Sequence, residues 1–250
     1  MHVALVGAFP FPYPQGSQVF FAEQACGLQT AGARVTLICY GRGMGAPPAD
    51  LTLVRAPLAP RKLTSGPSPG KPLADGALAA ALWATHRRTP FDAVLAHNSE
   101  AALAALLVRP LLRCPVVYVA HTVLVHELET YAPPRFAPLL RGLGARIDRY
   151  VARRADAVIA LASAGERELA RHARGPVLRI PPCLAPAAAP APAAQRASSV
   201  TPAPKVSRRT SSASITCSVR SGAGAAPAPC VATTTGAAIS RAAAASVARS

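Results

Sequence analysis

The chain is 250 residues long and 51% apolar, with 27 Lys and Arg against 11 Asp and Glu for a net charge of +16. That is enough chain for one or two domains and enough apolar side chain for a sizeable core, which excludes a protein unstructured throughout. The six cysteines, at 26, 39, 114, 183, 217 and 230, form neither a close Cys-x-x-Cys pair nor a zinc spacing, and they point to a reducing compartment.

Short apolar runs alternate with amphipathic stretches from the N-terminus to about Pro182, the pattern of a parallel sheet with crossover helices. The first strand, Val3–Val6, has no basic segment before it and meets Gly7 at once, unlike a secretory signal. Ser17 then caps a helix with Phe21, Ala25 and Leu28 on one face and Gly32 as its stop. Strands Val35–Tyr40 and Leu51–Val54 come next, set among Gly-, Pro- and Ser-rich surface loops at 41–50 and 56–72. Asp75 caps a second helix carrying Leu78, Ala81 and Leu82 on one side. After a strand at Ala93–Ala96, Ser99 opens a third helix, striped by Leu103, Leu106 and Leu107 and ended by Pro110. A strand at Val116–Ala120 precedes a longer helix defined by Leu139, Leu143, Ile147 and Val151. Strand Ala157–Leu161, a short helix opened by a Ser163-x-x-Glu166 capping box, and strand Val177–Ile180 complete the pattern.

Most of these strands are too uniformly apolar to be half exposed, as when helices cover both sheet faces, so the fold class is α/β with a doubly wound parallel sheet over 1–184. No uncharged apolar run approaches the ~18 residues of a membrane span. The best stretch, Ala101–Ala120, is interrupted by Arg109, Pro110, Arg113 and Pro115, and the expected location is cytoplasmic.

Residues 185–250 differ in kind. The last aromatic residue is Tyr150, the last acidic one Glu168 and the last leucine Leu184, and the remaining segment is dominated by Ala, Pro, Ser, Thr and Arg. Residues 1–184 hold 20 basic and 11 acidic side chains, whereas 185–250 hold 7 and none. Such a segment buries too little apolar surface to offset about 1–2 kcal/mol of backbone entropy per ordered residue, so a disordered low-complexity tail is expected. Its basic residues are spread thinly, without aromatic interleaving and with no cluster beyond Arg208-Arg209, so no nucleic-acid partner is expected.

In open α/β sheets ligands bind outside the carboxyl ends of the strands, which makes position as informative as residue type. Gly7–Gly16 follows the first strand, Gly41–Gly45 the second, His97 ends the fourth and His121 the fifth. In "GAFPFPYPQGSQVFF" a glycine and a small hydroxyl residue, Gly16 and Ser17, sit where a helix N-terminus leaves backbone N–H groups open to an anion. The loop lacks the Gly-x-Gly-x-x-Gly dinucleotide fingerprint and is stiffened by prolines 10, 12 and 14. Gly41-Arg42-Gly43 runs into Pro47-Pro48 rather than a helix, a poor phosphate loop. His121 is the catalytic candidate, placed to donate to a substrate hydroxyl or phosphate, with His97, Gly16 and Ser17 as substrate-binding candidates. Glu127 and Glu129, in "HTVLVHELETYAPP", are paired acid/base candidates without a third partner and read as solvated. Arg146, Arg149 and Arg153 share a helical face that suits either solvent or anionic lipid. No metal site is expected.

The opening "MHVALVGAFPFPYPQGSQVFFAEQACGLQTAGARVTLICYG" resembles that of the retaining, nucleotide-sugar-dependent glycosyltransferases of family 4, whose GT-B fold faces two Rossmann-like domains across a cleft. "FDAVLAHNSEAALAALL", "CPVVYVAHTVLVHELETY" and "IDRYVARRADAVIALASAGERELARHARGPVLRIPPCL" are similar, in order and spacing, to the later segments of that family's N-terminal, acceptor-side domain. The resemblance implies a Rossmann-like lobe over 1–184, and transfer of a sugar from a nucleotide diphosphate sugar to a glycan, lipid-linked or small-molecule acceptor, with no separate cofactor. It implies that Gly16 approaches the donor phosphates, Gln15 replacing the first glycine of the family's pair, and that His121 lies near the transferred sugar. His97 matches a polar position ending the preceding strand. For partners it implies a sugar or lipid-linked acceptor; the arginine face adds peripheral contact with the inner membrane face as an expectation, and a donor domain on a separate chain belongs to the alternative reading below.

The match ends at Ile180-Pro181-Pro182-Cys183-Leu184-Ala185, where the family has an aliphatic residue and Asp before its donor domain. That domain's paired glutamates have no counterpart here, since no glutamate follows Glu168. The expectation is a reading frame shifted near residue 185, leaving a truncated transferase inactive alone; a non-catalytic acceptor-binding module or half of a split enzyme is the alternative. Translating the same DNA in its other two frames should reveal a Gly-Arg segment, a Lys-Gly and the paired glutamates, and stop codons throughout both frames would refute the shift.

Overall fold

The computed structural model describes residues 1–48, 50–59, 70–131 and 133–182. The expected tail, the domain limit at 184 and residues 60–69 of the 56–72 loop lie outside them. Among the described residues seven strands, β1 (His2–Gly7), β2 (Arg34–Cys39), β3 (Thr52–Arg55), β4 (Ala93–His97), β5 (Val116–Ala120), β6 (Ala157–Ala160) and β7 (Val177–Arg179), pair in the order β3-β2-β1-β4-β5-β6-β7. Every pairing is parallel. All seven expected strands are present, their ends within one residue of the apolar runs. The order reverses between β1 and β4, the switch point of a doubly wound sheet.

Side chains alternate between two cores. Ala4 and Val6 of β1 face the layer built by α2 (Lys71–Arg88), α3 (Asn98–Leu112) and α5 (Ala137–Arg154), while Val3 and Leu5 face α1 (Gly16–Thr30). Both faces are buried along β1, β2, β4, β5 and β6, which is why these strands read as continuous apolar runs, while the edge strands β3 and β7 are half-buried or exposed. Two shorter helices, α4 (Leu124–Glu127) and α6 (Ser163–Ala170), follow β5 and β6.

The helices exist where periodicity placed them, but their starts differ from the capping expectations. Gln15, not Ser17, takes the N-cap position of α1, and Ser17 sits in the first turn. α2 begins at Lys71, before Asp75, whose carboxylate accepts a hydrogen bond from the Tyr40 hydroxyl. α3 begins at Asn98, and the Ser99 hydroxyl lies 2.9 Å from that of Tyr118. Ser163 is the first residue of α6 and makes no cap hydrogen bond. Asp75 and Ser99 are thus committed to buried tyrosines, and a tertiary partner displaces the local cap. Pro110 does not end α3, which continues to Leu112 and stops at Arg113 in the left-handed region (φ 52).

The largest departure from expectation is in α5. The stripe Leu139, Leu143, Ile147 and Val151 marks a helix, yet the face it buries consists of Gly144, Asp148, Val151 and Ala152, and Leu139 and Leu143 are exposed. Close approach sets this rotation. A Cβ on Gly144 would lie 2.4 Å from the Leu124 carbonyl oxygen, and the Asp148 carboxylate accepts the Val125 N–H at 2.9 Å. The α4 backbone therefore sits against α5 where no larger side chain fits. Gly144→Ala should lower stability by about 1–3 kcal/mol, the usual cost of overpacking. Gly76→Ala, in an exposed turn of α2 with nothing within 4 Å, should raise it by about 0.5–1 kcal/mol. Thermal or urea unfolding of the two variants checks both signs.

Candidate functional site

Four features meet at the carboxyl rim of the sheet. β1 leads into the segment Ala8–Gln15, whose first half is buried: Tyr40 N–H donates to Phe9 O at 3.3 Å, and Arg55 Nη1 donates to Phe11 O at 2.9 Å. The Gly41–Gly45 loop packs under it, so closely that a Cβ on Gly43 would lie 2.1 Å from Phe11 O. Those glycines hold the first loop in place. Gly16 and Ser17 then open α1, where the first N–H groups of a helix have no intrahelical acceptor, and Gly16 faces open space.

One turn later Phe20 and Phe21 reach the two histidines. The Phe20 ring stands edge-on to His121 at 5.5 Å between centroids, and Phe21 edge-on to His97 at 4.7 Å. His97, at the end of β4, pairs in register with Gly7 of β1 and Val119 of β5. Its side chain is 0% exposed, so it meets a ligand only through His121. His97 Nδ1 and His121 Nε2 lie 2.9 Å apart. One proton lies between these nitrogens, so the tautomer of either ring fixes that of the other. His97 Nε2 is buried without a hydrogen-bond partner.

Burial holds His97 well below the ordinary histidine range, with the neighbouring His121 adding to the effect. Burial also lowers His121, to about 4. Both rings are neutral at physiological pH, and His121 presents its Nδ1 as a hydrogen-bonding group rather than a charge.

His121 lines an open cleft of about 380 Å³ beyond the ends of β5 and β6, walled by Thr122, His126, Glu127 and Thr130 on one side and by Ala164 and Gly165 of α6 on the other. Glu127 accepts hydrogen bonds from the Thr122 hydroxyl and, at 3.0 Å, from Tyr131. The Tyr131 phenol is pushed up to about 12 by burial and by that carboxylate. Glu129 instead accepts two hydrogen bonds from Arg141, at 2.6 and 2.8 Å. The two glutamates therefore do not act as a pair, and Glu127 is a cleft residue rather than a solvated one. Asp148 positions this wall by accepting the N–H groups at the start of α4; burial raises its pKa, and its second oxygen is buried without a partner.

Sequence reasoning singled out His121, His97, Gly16 and Ser17; the structure gathers all four on one rim but buries His97, expected on the substrate side, beneath Phe21. It missed Asn98, which turns β4 directly into α3 through a left-handed backbone (φ 71). Asn is among the residues that tolerate this conformation, which was the available signal. It also missed Thr122 and Gly165, small side chains that leave no periodic mark. Among the described residues no cluster of His, Cys, Asp and Glu could hold a metal ion, and no helix is long and apolar enough to cross a membrane.

Comparison with solved structures shows the same fold in a sucrose-phosphate synthase from Thermosynechococcus elongatus, at a TM-score of 0.59 and 16% identity. The match covers 72% of this chain and 48% of the synthase, so the chain spans about half of that protein's length. A second structure of the synthase gives a TM-score of 0.52 and 14% identity, covering 72% of this chain and 88% of that one. Anabaena HepE, solved in complex with UDP and glucose, gives 0.48 and 17%, covering 74% of this chain and 45% of its own. No curated protein matches in sequence. The description "Glycosyl transferase 4-like domain" fits residues 15–183, a span that takes in α1, both histidines and the cleft. The chain belongs to this glycosyltransferase family, and its described residues form one Rossmann-like lobe of the GT-B kind.

Proposed function

We propose that residues 1–184 are the acceptor-side lobe of a retaining glycosyltransferase that uses a nucleotide diphosphate sugar, and that the acceptor enters the cleft beside His121. The observation that carries this reading is the neutral His121 ring on the cleft, held from below by His97 at 2.9 Å and from the side by Phe20. A neutral imidazole of fixed orientation hydrogen-bonds a sugar hydroxyl without attracting the donor's diphosphate. The open first turn at Gly16 and Ser17 suits that diphosphate instead, since free N–H groups and the helix dipole favour an anion.

Transfer with retention in this reading depends on aligning acceptor oxygen and anomeric carbon and on stabilising the departing phosphate. In this reading the one lobe orients the acceptor and contributes only part of the phosphate stabilisation. The acceptor is a glycan, a lipid-linked sugar or a small molecule, and the location is cytoplasmic, peripheral to a membrane when the acceptor is lipid-linked. A second reading is a binding module or half of a split enzyme that meets a donor lobe on another chain. Copurification of a donor-domain chain from the source cell supports the split enzyme, and its absence supports a lobe acting alone.

The 250-residue chain alone should turn over nucleotide-sugars at least roughly 1,000-fold more slowly than two-lobed transferases, as expected when phosphate stabilisation is lost; comparable turnover refutes the one-lobe reading. Acceptor sugars titrated into the chain should move the His121 ring resonances, and His121→Ala should weaken their binding roughly tenfold. Unmoved His121 signals, or unchanged binding by the variant, remove His121 from the site.

The neutral pair also sets a pH dependence. Both histidines have folded pKa values below the unfolded value, so the unfolded chain takes up protons first as the pH falls. The stability that depends on the neutral pair is therefore complete above pH about 6.5 and is lost as the pH falls from there through about 4. In an NMR titration His121 should show a midpoint near 4, whereas a midpoint at the ordinary value of about 6.5 overturns the buried neutral pair.

A further inference from the structure

The outward face of α5 has the wrong composition for a solvated helix. Along it Leu139, Leu143, Arg146, Tyr150 and Arg153 recur at i, i+4, i+7, i+11 and i+14, a single stripe opposite the buried Gly144, Asp148, Val151 and Ala152. Phe136, in the 3₁₀ turn before the helix, joins its N-terminal end. Four large side chains on this one surface are open to solvent: Leu139 at 71%, Leu143 and Tyr150 at 47% and Phe136 at 46%. Single exposed apolar residues need no explanation, but a row of them on one helix does.

Charge distinguishes among occupants. Arg149 and Arg154 flank the stripe, and the guanidinium of Arg154 lies 5.4 Å from the Tyr150 ring centroid. The one acidic residue of α5, Asp148, is buried on the opposite face. A second copy of the chain would bring like charge against like. A nucleic-acid backbone would satisfy the arginines and leave Phe136, Leu139 and Leu143 in water. A surface that is anionic outside and apolar just beneath satisfies both halves, with leucines and aromatic rings below the headgroups and guanidinium groups among them.

We infer that α5 is a membrane-docking helix that lies flat on an anionic phospholipid surface through Phe136, Leu139, Leu143, Tyr150 and its outward arginines. This deepens the lipid-linked version of the proposed function by naming the surface that meets the membrane. It stands on exposed residues of α5 alone, and its test involves no sugar transfer, so either reading can fail without the other. The inner face of the same helix holds the α4 wall of the cleft through Gly144 and Asp148, which places the cleft beside the docked surface.

The test is co-sedimentation of the full chain with phosphatidylcholine vesicles and with vesicles that also contain phosphatidylglycerol. The chain should bind the anionic vesicles and not the neutral ones, and should release them at ~0.5 M salt, where charges are screened beyond a few ångströms. Arg146→Glu with Arg153→Glu, and separately Leu139→Ser with Leu143→Ser, should each reduce the partition coefficient, the arginine pair by at least roughly 25-fold from about fivefold per lost cation. The basic residues beyond 185 are untouched in both variants, and Arg208→Glu with Arg209→Glu should leave binding unchanged. Circular dichroism and melting temperature check that these surface variants fold. Equal binding to neutral vesicles, no binding to anionic ones, α5 variants that bind like the original chain, or loss on changing Arg208 and Arg209 would each overturn the assignment.

Discussion

Parallel pairing of all seven strands is the constraint on which the site depends. A parallel neighbour requires a crossover, so every strand end that leads to a helix does so at the same edge of the sheet. Gly7, His97 and Ala120 end adjacent strands and are brought to one line although 113 residues separate the first from the last. At the reversal between β1 and β4 the outgoing chains diverge to opposite faces, α1 to one and α3 to the other, which ordinarily opens a crevice. Here that crevice is filled. Phe9, Phe11 and Phe21 pack edge-to-face in it, with centroids 5.1 and 5.3 Å apart, and Phe21 also closes over His97. The open cleft lies farther along the rim, beyond β5 and β6, where His121 is the first polar side chain outside the aromatic plug.

That displacement explains the different fates of the two histidines. A ring buried beneath phenylalanines and facing another imidazole has no carboxylate to stabilise a charge, so His97 stays neutral. Its contact with His121 is then between two neutral rings, useful for orientation and poor for proton storage. The site is accordingly better suited to holding a hydroxyl in place than to general acid or base catalysis near neutral pH, where an effective group has a pKa close to the working value. Glu127, the cleft's own carboxylate, is engaged by Thr122 and Tyr131.

Much of this was legible in the sequence because the strongest signals are local. Val116–Ala120 is a five-residue apolar run bounded by Pro115 and His121, and β5 has those limits. The rule that ligands gather at strand ends points to His121 and Gly16 from the sequence alone. The errors arose where a residue had two possible partners. Ser99 and Asp75 are good caps by type, but Tyr118 and Tyr40 are buried hydroxyls that require a partner, and leaving one unsatisfied costs more than a missing cap. Burial of His97 was illegible because it depends on Phe21, 76 residues away.

The rotation of α5 is the most informative disagreement. Counting apolar residues assigns Leu139 and Leu143 to the core, since leucine is the usual means of burying a helix face. The helix turns them outward because its inner face answers to a different demand: α4 is one turn long, too short to be stable alone, and needs backbone contact and a carboxylate to hold it. Gly144 supplies the close approach and Asp148 the acceptor, and both must point inward. With only one apolar stripe and one polar requirement on an 18-residue helix, satisfying the cleft wall leaves the leucines on the surface. Site and exposed stripe are thus two consequences of one choice of rotation, and neither can be changed without the other.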